Sequence, residues 1–419
     1  PRNSPEANLL YRVTEQQDLD GSIRRYHYDV LNNISRMEAV AAPYGSGMAV
    51  VTAVLEPTVV HDFERDAAGR LVGKVTDDGR TEYTYDLLDQ LKAVTFTHKT
   101  GQQQTVCFSY DALGRAVEEK TAAGALQHHY DELGNLNQTR LPDGRWLNRL
   151  YYGSGHLHQI NLDGRVISDF ERDRLHREVL RTQGYLSTRQ HYDRCGRLRS
   201  RERGHITRAS VLPGAVQKQF EYDTADNLVG KLEQQTDGQH RQLLHYDATD
   251  RVIASQDNFA ARHETYSYDA AANLLDGPQP GAGLVVHNKL LTFQDKRYRY
   301  DGFGRMIEKR SVKRGVQRFA YDAEHRLIEV RNEQGGQQSV VHMTYDPLGR
   351  RTSKTTHDAN GQLLSETRFT WDGLRLVQEH KHAQTSLYIY GDESHEPLAR
   401  VDGTGAQQKV RYYHNCLLY

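Results

Sequence analysis

The stretch Glu82–Leu91, EYTYDLLDQL, runs an alternation of aromatic and polar residues into a polar turn, and its echoes decide the fold. CFSYDALGRA begins at Cys107, ALQHHYDELGNL at Ala125, RYRYDGFGRM at Arg297, RFAYDAEHRL at Arg318 and HMTYDPLGRR at His342. With the Asp after the aromatic as a marker, the series is Asp29, Asp66, Asp86, Asp111, Asp131, then Gly153 in YYGSGHL, Asp173, Asp193, Asp223, Asp247, Asp269, Asp301, Asp322, Asp346 and Asp372. Most steps are 20 to 26 residues. Repetition at a fixed short period marks an array of one supersecondary unit.

Before each marker the aromatics alternate, as in Tyr83/Tyr85, Phe108/Tyr110, Phe220/Tyr222, Tyr298/Tyr300 and Phe369/Trp371, which is the pattern of a strand with one apolar face. Three residues after the marker stands Gly114, Gly134, Gly196, Gly304 or Gly349, or else Asn32, Asp89, Asp226, Asp250 or His325, a set weighted to residues that tolerate positive φ. An Asp followed by such a residue specifies a type I turn closed by a G1 bulge. Ala272 and Arg375 break the rule, with Asn273 expected to supply the left-handed residue one place late. TDDGRT at Thr76, PDGRW at Pro142, LDGRV at Leu162, TDGQH at Thr236 and ANGQL at Ala359 read as Asp-Gly or Asn-Gly hairpin turns. Each unit is therefore two strands of about 5 to 7 residues and two tight turns. Gly and Asp interrupt any helical stripe, so the expected fold is all-β, an antiparallel meander of about thirty short strands.

Composition limits how such a ribbon packs. Hydrophobic residues make up 37% of the 419, and the formal net charge is -1, with the signs interleaved along the chain. That balance argues against a nucleic-acid stripe or a polybasic membrane patch. Cys107, Cys195 and Cys416 stand far apart; they read as reduced thiols of a protein folded in a cytoplasm. No apolar run approaches the roughly 18 residues of a membrane span, and no Sec-type leader opens the chain. The first residue is Pro1 and the pattern is already running by Tyr26, so the chain is read as a piece of something longer. A propeller blade needs a unit of about 40 to 50 residues, and a sandwich needs aliphatic residues for two inner faces. The expected form is a single-layer curved wall, with Tyr and Leu ladders between successive strands. One array is expected over residues 26–414, with a lead-in at 1–25, insertions near 37–60, 200–216 and 276–290, and a departure at 415–419.

YDALGRA, YDELGNL, YDRCGRL and YDPLGRR resemble the YD repeat of Rhs proteins, shared more distantly with the C component of insecticidal toxin complexes and with teneurins. NKLLTFQDKRYRYDGFGRM, FTWDGLRLVQE and EPLARVDGTG followed by VRYYH resemble the end of a proteobacterial Rhs core. The resemblance implies a hollow β-cocoon that encloses a C-terminal toxin domain for delivery into competitor cells. The toxin is the implied partner, with the type VI secretion spike, its PAAR components or an adaptor. The implied location is the bacterial cytoplasm before delivery, then secretion without a Sec signal. In that family the core ends in an Asp-Pro-x-Gly-type motif at which the shell cuts itself from the toxin. After YYH this chain reads Asn415, Cys416, Leu417, Leu418 and Tyr419 instead, so neither self-cleavage nor action on a small substrate is expected.

Chemical readings of single residues are outweighed by structural ones. Asp77 and Asp78 could act as an acid/base pair but sit in a turn signal. His128 in HHYD, and His156 and His158 in HLH, could ligate a metal, but no third ligand is identifiable. Gly153–Gly155 and Gly281–Leu284 lack the strand-to-helix setting of a phosphate loop. Arg70, Arg115, Arg197, Arg305 and Arg350, just past their turns, could form a ligand ladder but read better as cross-strand partners of Glu or Asp. The expectation is no catalytic residue, no cofactor and no metal, in a structural shell; the alternative is a YD-repeat adhesion module contacting glycans or a partner protein.

Overall fold

A computed structural model describes residues 6–7, 12–18, 20–42, 58–153, 155–205, 216–235, 238–258, 262–270, 272–275, 285–286, 289–392 and 394–413. The centres of the three insertions, Gly281–Leu284 and the departure at 415–419 with Cys416 lie outside the described residues. Among the described residues the chain forms 39 strands, a single 3-10 turn at Gly405–Gln407 and no α-helix. Strands pair antiparallel with their neighbours in sequence. Gly79–Tyr85, for example, lies between Leu71–Thr76 and Leu91–His98. Most full-length strands run six or seven residues, as expected, several reach eight, and Leu363–Asp372 reaches ten.

The Tyr-Asp turn keeps one geometry from Asp29 to Asp346 at the described Asp markers. At Asp111 the backbone N–H donates to Arg115 O at 3.0 Å and its C=O accepts from Gly114 N at 3.0 Å. Its Oδ1 accepts from the N–H groups of Leu113 and Arg115, both at 2.9 Å. Gly114 has φ 80°, and this is the type I turn with a G1 bulge. The ladder then slips a residue between Ala116 and Glu118. Asn32, Asp89, Asp226, Asp250 and His325 take the left-handed conformation at the same place, with φ of 60–69°. Ala272, expected to break the rule, obeys it with φ 62°, and Asn273 instead donates from Nδ2 to Asp269 Oδ2 at 2.8 Å. Four hydrogen bonds that tie Asp269 to Ala272 and Asn273 outweigh the Cβ strain of an alanine. Arg375 does depart, because Asp372 pairs directly with it and Gly373-Leu374 forms a two-residue loop.

The second class of turns divides where one type was expected. Asp163-Gly164 is a two-residue loop with both φ positive, 48° and 84°. PDG and ANG instead form the three-residue kind, with Gly144 N donating to Leu141 O and Gly361 N to Asp358 O. Thr76 pairs with Gly79, which puts Asp77-Asp78 in that loop. Thr236 and Asp237 lie outside the described residues.

Contacts group the chain into two compact units, Pro1–Leu126 with Ala282–Tyr388 and Val401–Lys409, and Gln127–Gly281 with Ile389–Arg400 and Val410–Tyr419. The first buries Val94, Val106, Val330, Val341, Phe369 and Leu387. The second buries Leu157, Ile160, Leu162, Ile167, Phe170 and Ile389, and Gln183 Nε2 donates to Leu398 O at 3.0 Å. Apolar residues at the turn tips stay wet, as Val30, Leu31, Leu87, Leu88, Leu113 and Leu133 do.

Candidate functional site

Among the described residues the constellation that recurs is the cluster around the Tyr-Asp turns, and it joins one hairpin to the next. The tyrosine hydroxyl donates to the backbone carbonyl just beyond the preceding turn: Tyr85 to Leu71 O at 2.8 Å, Tyr110 to Leu91 O at 2.9 Å, Tyr222 to Leu198 O at 3.0 Å, Tyr321 to Met306 O at 2.8 Å and Tyr345 to Leu327 O at 2.6 Å. Trp371 does the same with Nε1 to Arg351 O at 2.8 Å. Burial pushes Tyr110, Tyr321 and Tyr345 above the ordinary phenol value, so each hydroxyl stays a donor.

The arginine four residues after the Asp clamps its own turn. Nε of Arg70, Arg115, Arg197, Arg305 and Arg350 lies 2.6–2.7 Å from Oδ2 of Asp66, Asp111, Asp193, Asp301 and Asp346. An Asp pairing was expected, but between strands and not within the turn. The same guanidinium then reaches forward. Arg70 lies 5.0 Å from the ring centre of Tyr85, Arg197 4.9 Å from Tyr222, and Arg305 5.0 Å from Tyr321, the geometry of a cation–π contact. The Arg hydrogen bond, then the backbone N–H donors, hold the carboxyls of Asp66 and Asp111 below the usual range. Removing one hydroxyl, Tyr85→Phe, leaves Leu71 O without this donor and should cost about 1 kcal/mol. Urea unfolding reads that shift, and Thr84→Val on the neighbouring exposed position should leave the midpoint unchanged.

The other sequence candidates disperse. Asp78 accepts from Ala323 N at 2.6 Å through Oδ2, an anchoring role. His128 is buried against Thr139. His158 is pinned by donating from Nδ1 to Phe170 O at 3.0 Å, and His156 stacks face to face with His176 at 3.6 Å. Stacking presents π faces, not converging lone pairs, and among the described residues no three His, Cys, Asp or Glu side chains are placed to hold a metal ion. Gly153 and Gly155 shape a loop with φ 57° and 112°. Cys107 is half-buried and Cys195 exposed at a turn tip, both as free thiols.

What sequence reasoning missed is how the later turns of the first unit dock on its earlier strands. Ala42 N donates to Gly302 O at 2.7 Å, His61 Nε2 meets Ala323 O at 2.9 Å, and Lys74 pairs with Glu324 at 2.6 Å. Lys289 pairs with Asp20 at 2.6 Å; burial would raise that carboxyl, but the bonds from Lys289 and Ser22 take it down to about 2. Deepest is Arg350, 3% exposed, which reaches Glu119 at 2.6 Å, Asp346 at 2.7 Å and Gly373 O at 2.9 Å. One signal was present: the extra glycine in YDGFG. A Cβ at Gly302 would lie 2.6 Å from Ala41 Cβ and 2.8 Å from Ala42 O, so this turn needs glycine for close approach.

The geometry joins structure to structure, and among the described residues it presents no nucleophile with a base and an orienting group. Residues 201–415, just over half of the chain, match the family model described as Teneurin YD-shell, and residues 110–145 match RHS Repeat. The chain is 36% identical over 414 residues to the double-stranded DNA deaminase toxin A of Burkholderia cenocepacia, covering 94% of this chain and 28% of that protein. It is 28% identical over 401 residues to toxin protein Tse5 of Pseudomonas aeruginosa, covering 83% of this chain and 27% of that one. The chain thus spans about a quarter of the length of these relatives. The crystal structure of TcdB2-TccC3-TEV shares its fold with a TM-score of 0.58 at 12% identity, over 99% of this chain and 28% of that one. Repeat, fold and family matches agree: the chain belongs to the Rhs family of YD-repeat shell proteins.

Proposed function

We propose that this chain is wall material of an Rhs toxin shell, which encloses a toxin domain and is itself without catalytic activity. The observation that carries the reading is the Tyr hydroxyl lock, repeated from hairpin to hairpin. It spends the recurring polar residues on joining strands, which is what a container needs and a catalyst does not. The relatives named as toxins support a toxin as the enclosed partner. Delivery from the cytoplasm through a type VI secretion spike completes the proposal.

Trypsin digestion of the natural protein that carries these residues tests it. The toxin domain should resist cleavage while the shell is folded and become susceptible when urea opens it. Digestion of that domain at the rate of the free domain would overturn the container. Micromolar binding of the present chain to glycans would then favour the adhesion module.

A further inference from the structure

The contact between one arginine and the following turn is written in two chemistries. Arg197 Nη1 donates to Asp226 Oδ1 at 2.6 Å, and Arg70 Nη1 likewise reaches Asp89. At the equivalent place Arg305 Nη1 lies 3.0 Å from Nδ1 of His325. A guanidinium only donates, so His325 Nδ1 must carry the lone pair. A proton there would set two donors and two positive charges face to face.

That turn is also one of those docked on the earlier strands. Ala323, two residues before His325, is held on both sides of its peptide, by Asp78 Oδ2 and by His61, which is 6% exposed and must donate from Nε2. Glu324 is held by Lys74. The charged and titratable groups facing His325 are Arg305 and Asp301 from the preceding turn, Asp322 from its own, and His61 from the strand Thr58–Arg65. Both carboxylates are engaged already, Asp301 by Arg305 and Asp322 by Arg326, each at 2.7 Å. Around the docked turn lie Lys74, Asp78, Glu324, Arg326 and Tyr83, the last raised chiefly by burial.

We propose that His325 is an acid-sensitive latch. On acidification its turn, residues 322–326, comes away from the strands Thr58–Arg65 and Leu71–Thr76, while the junctions that end on Asp89 and Asp226 hold. The sign follows from the charge. Burial first, then Arg305 and His61, lower His325 from its ordinary 6.5, so the unfolded or undocked form binds more protons. The latch is complete above about pH 6.5 and is lost as pH falls below it. Aspartate acceptors keep their lone pairs throughout that window. The latch stands whether or not the shell holds a toxin.

Hydrogen exchange read by mass spectrometry on the full chain tests this, with rates corrected for the intrinsic effect of pH. From about pH 7.5 to about pH 5.5, peptides over 58–76 and 320–327 should lose protection about fivefold or more, and those over 216–228 should not. His325→Asp, the solution used by neighbouring repeats, should abolish the loss. Asp89→His should transplant it to peptides over 66–91. Loosening that is absent in the natural chain, or equal in His325→Asp, overturns the latch. Should His325→Asp fail to fold, Asp89→His decides alone, and no acid response at 66–91 overturns it as well.

Discussion

Replacing Arg350 by Met should lower the stability of the fold by about 3 to 5 kcal/mol at neutral pH. The side chain is 3% exposed, and its charge is shared between Glu119 and Asp346, which are 7% and 5% exposed. Methionine fills much the same volume but leaves two carboxylates buried with no cation between them. Gly373 O loses its donor too. The repeat supplies its own control: Arg115 clamps Asp111 in the same way at 29% exposure, and Arg115→Met should cost about 1 kcal/mol or less. Linked urea midpoints and slopes measure both. Equal losses at the two sites would mean that burial at Arg350 adds nothing.

The same variant has a pH signature. Burial raises the Glu119 carboxyl above its ordinary value, against the pull of Arg350. A folded acid whose value is raised contributes stability at low pH and loses it as pH rises through that value. Without Arg350 this upward push grows. The deficit of Arg350→Met relative to the natural chain, compared pH by pH, should therefore shrink as pH falls from about 7.5 to about 5. A deficit that grows instead would contradict the assignment of Glu119 as the stranded charge.

Gly315→Ala should cost about 3 kcal/mol or more, the second large effect. Gly315 opens the strand Gly315–Tyr321 with φ 71°. A Cβ there would collide with the backbone of the next strand, at Glu333 O and Glu333 C. Strain and overlap with unyielding backbone add. Gly349 has a similar φ of 83° but nothing within 4 Å of an added Cβ, so Gly349→Ala should cost only the conformational share, about 1 kcal/mol. Thermal unfolding of the two variants ranks them, and the reverse order would refute the clash.

The comparison of Gly315 with Gly349 also shows where the sequence was legible. Gly349 is announced by Tyr345, Asp346 and its place three residues on, because turn chemistry acts over four or five residues. Gly315, in KRGVQRF, carries no such local sign; what forbids a side chain is a strand that arrives later in the chain. Ala272 was misread because its turn is held by the Asp269 and Asn273 side chains and not by its own freedom. PDG was read as an Asp-Gly hairpin turn, yet Pro142 suits position i+1 of a type I turn that starts at Leu141 and leaves Gly144 to close it. The tyrosine ladder was visible as alternation, but the destination of each hydroxyl was not. Arg350 and Arg115 end nearly identical motifs, YDPLGR and YDALGR, and only docking on Glu119 makes one a buried anchor.

X-ray scattering of the purified chain in solution tests the central claim most directly, that these hairpins build a wall. A compact globule of 419 residues has a radius of gyration of about 22 Å. A locked, single-layer wall around a hollow should exceed that by about a quarter or more, with a pair-distance distribution shifted to long separations. A value near about 22 Å with a symmetric distribution would contradict the wall and the container built on it.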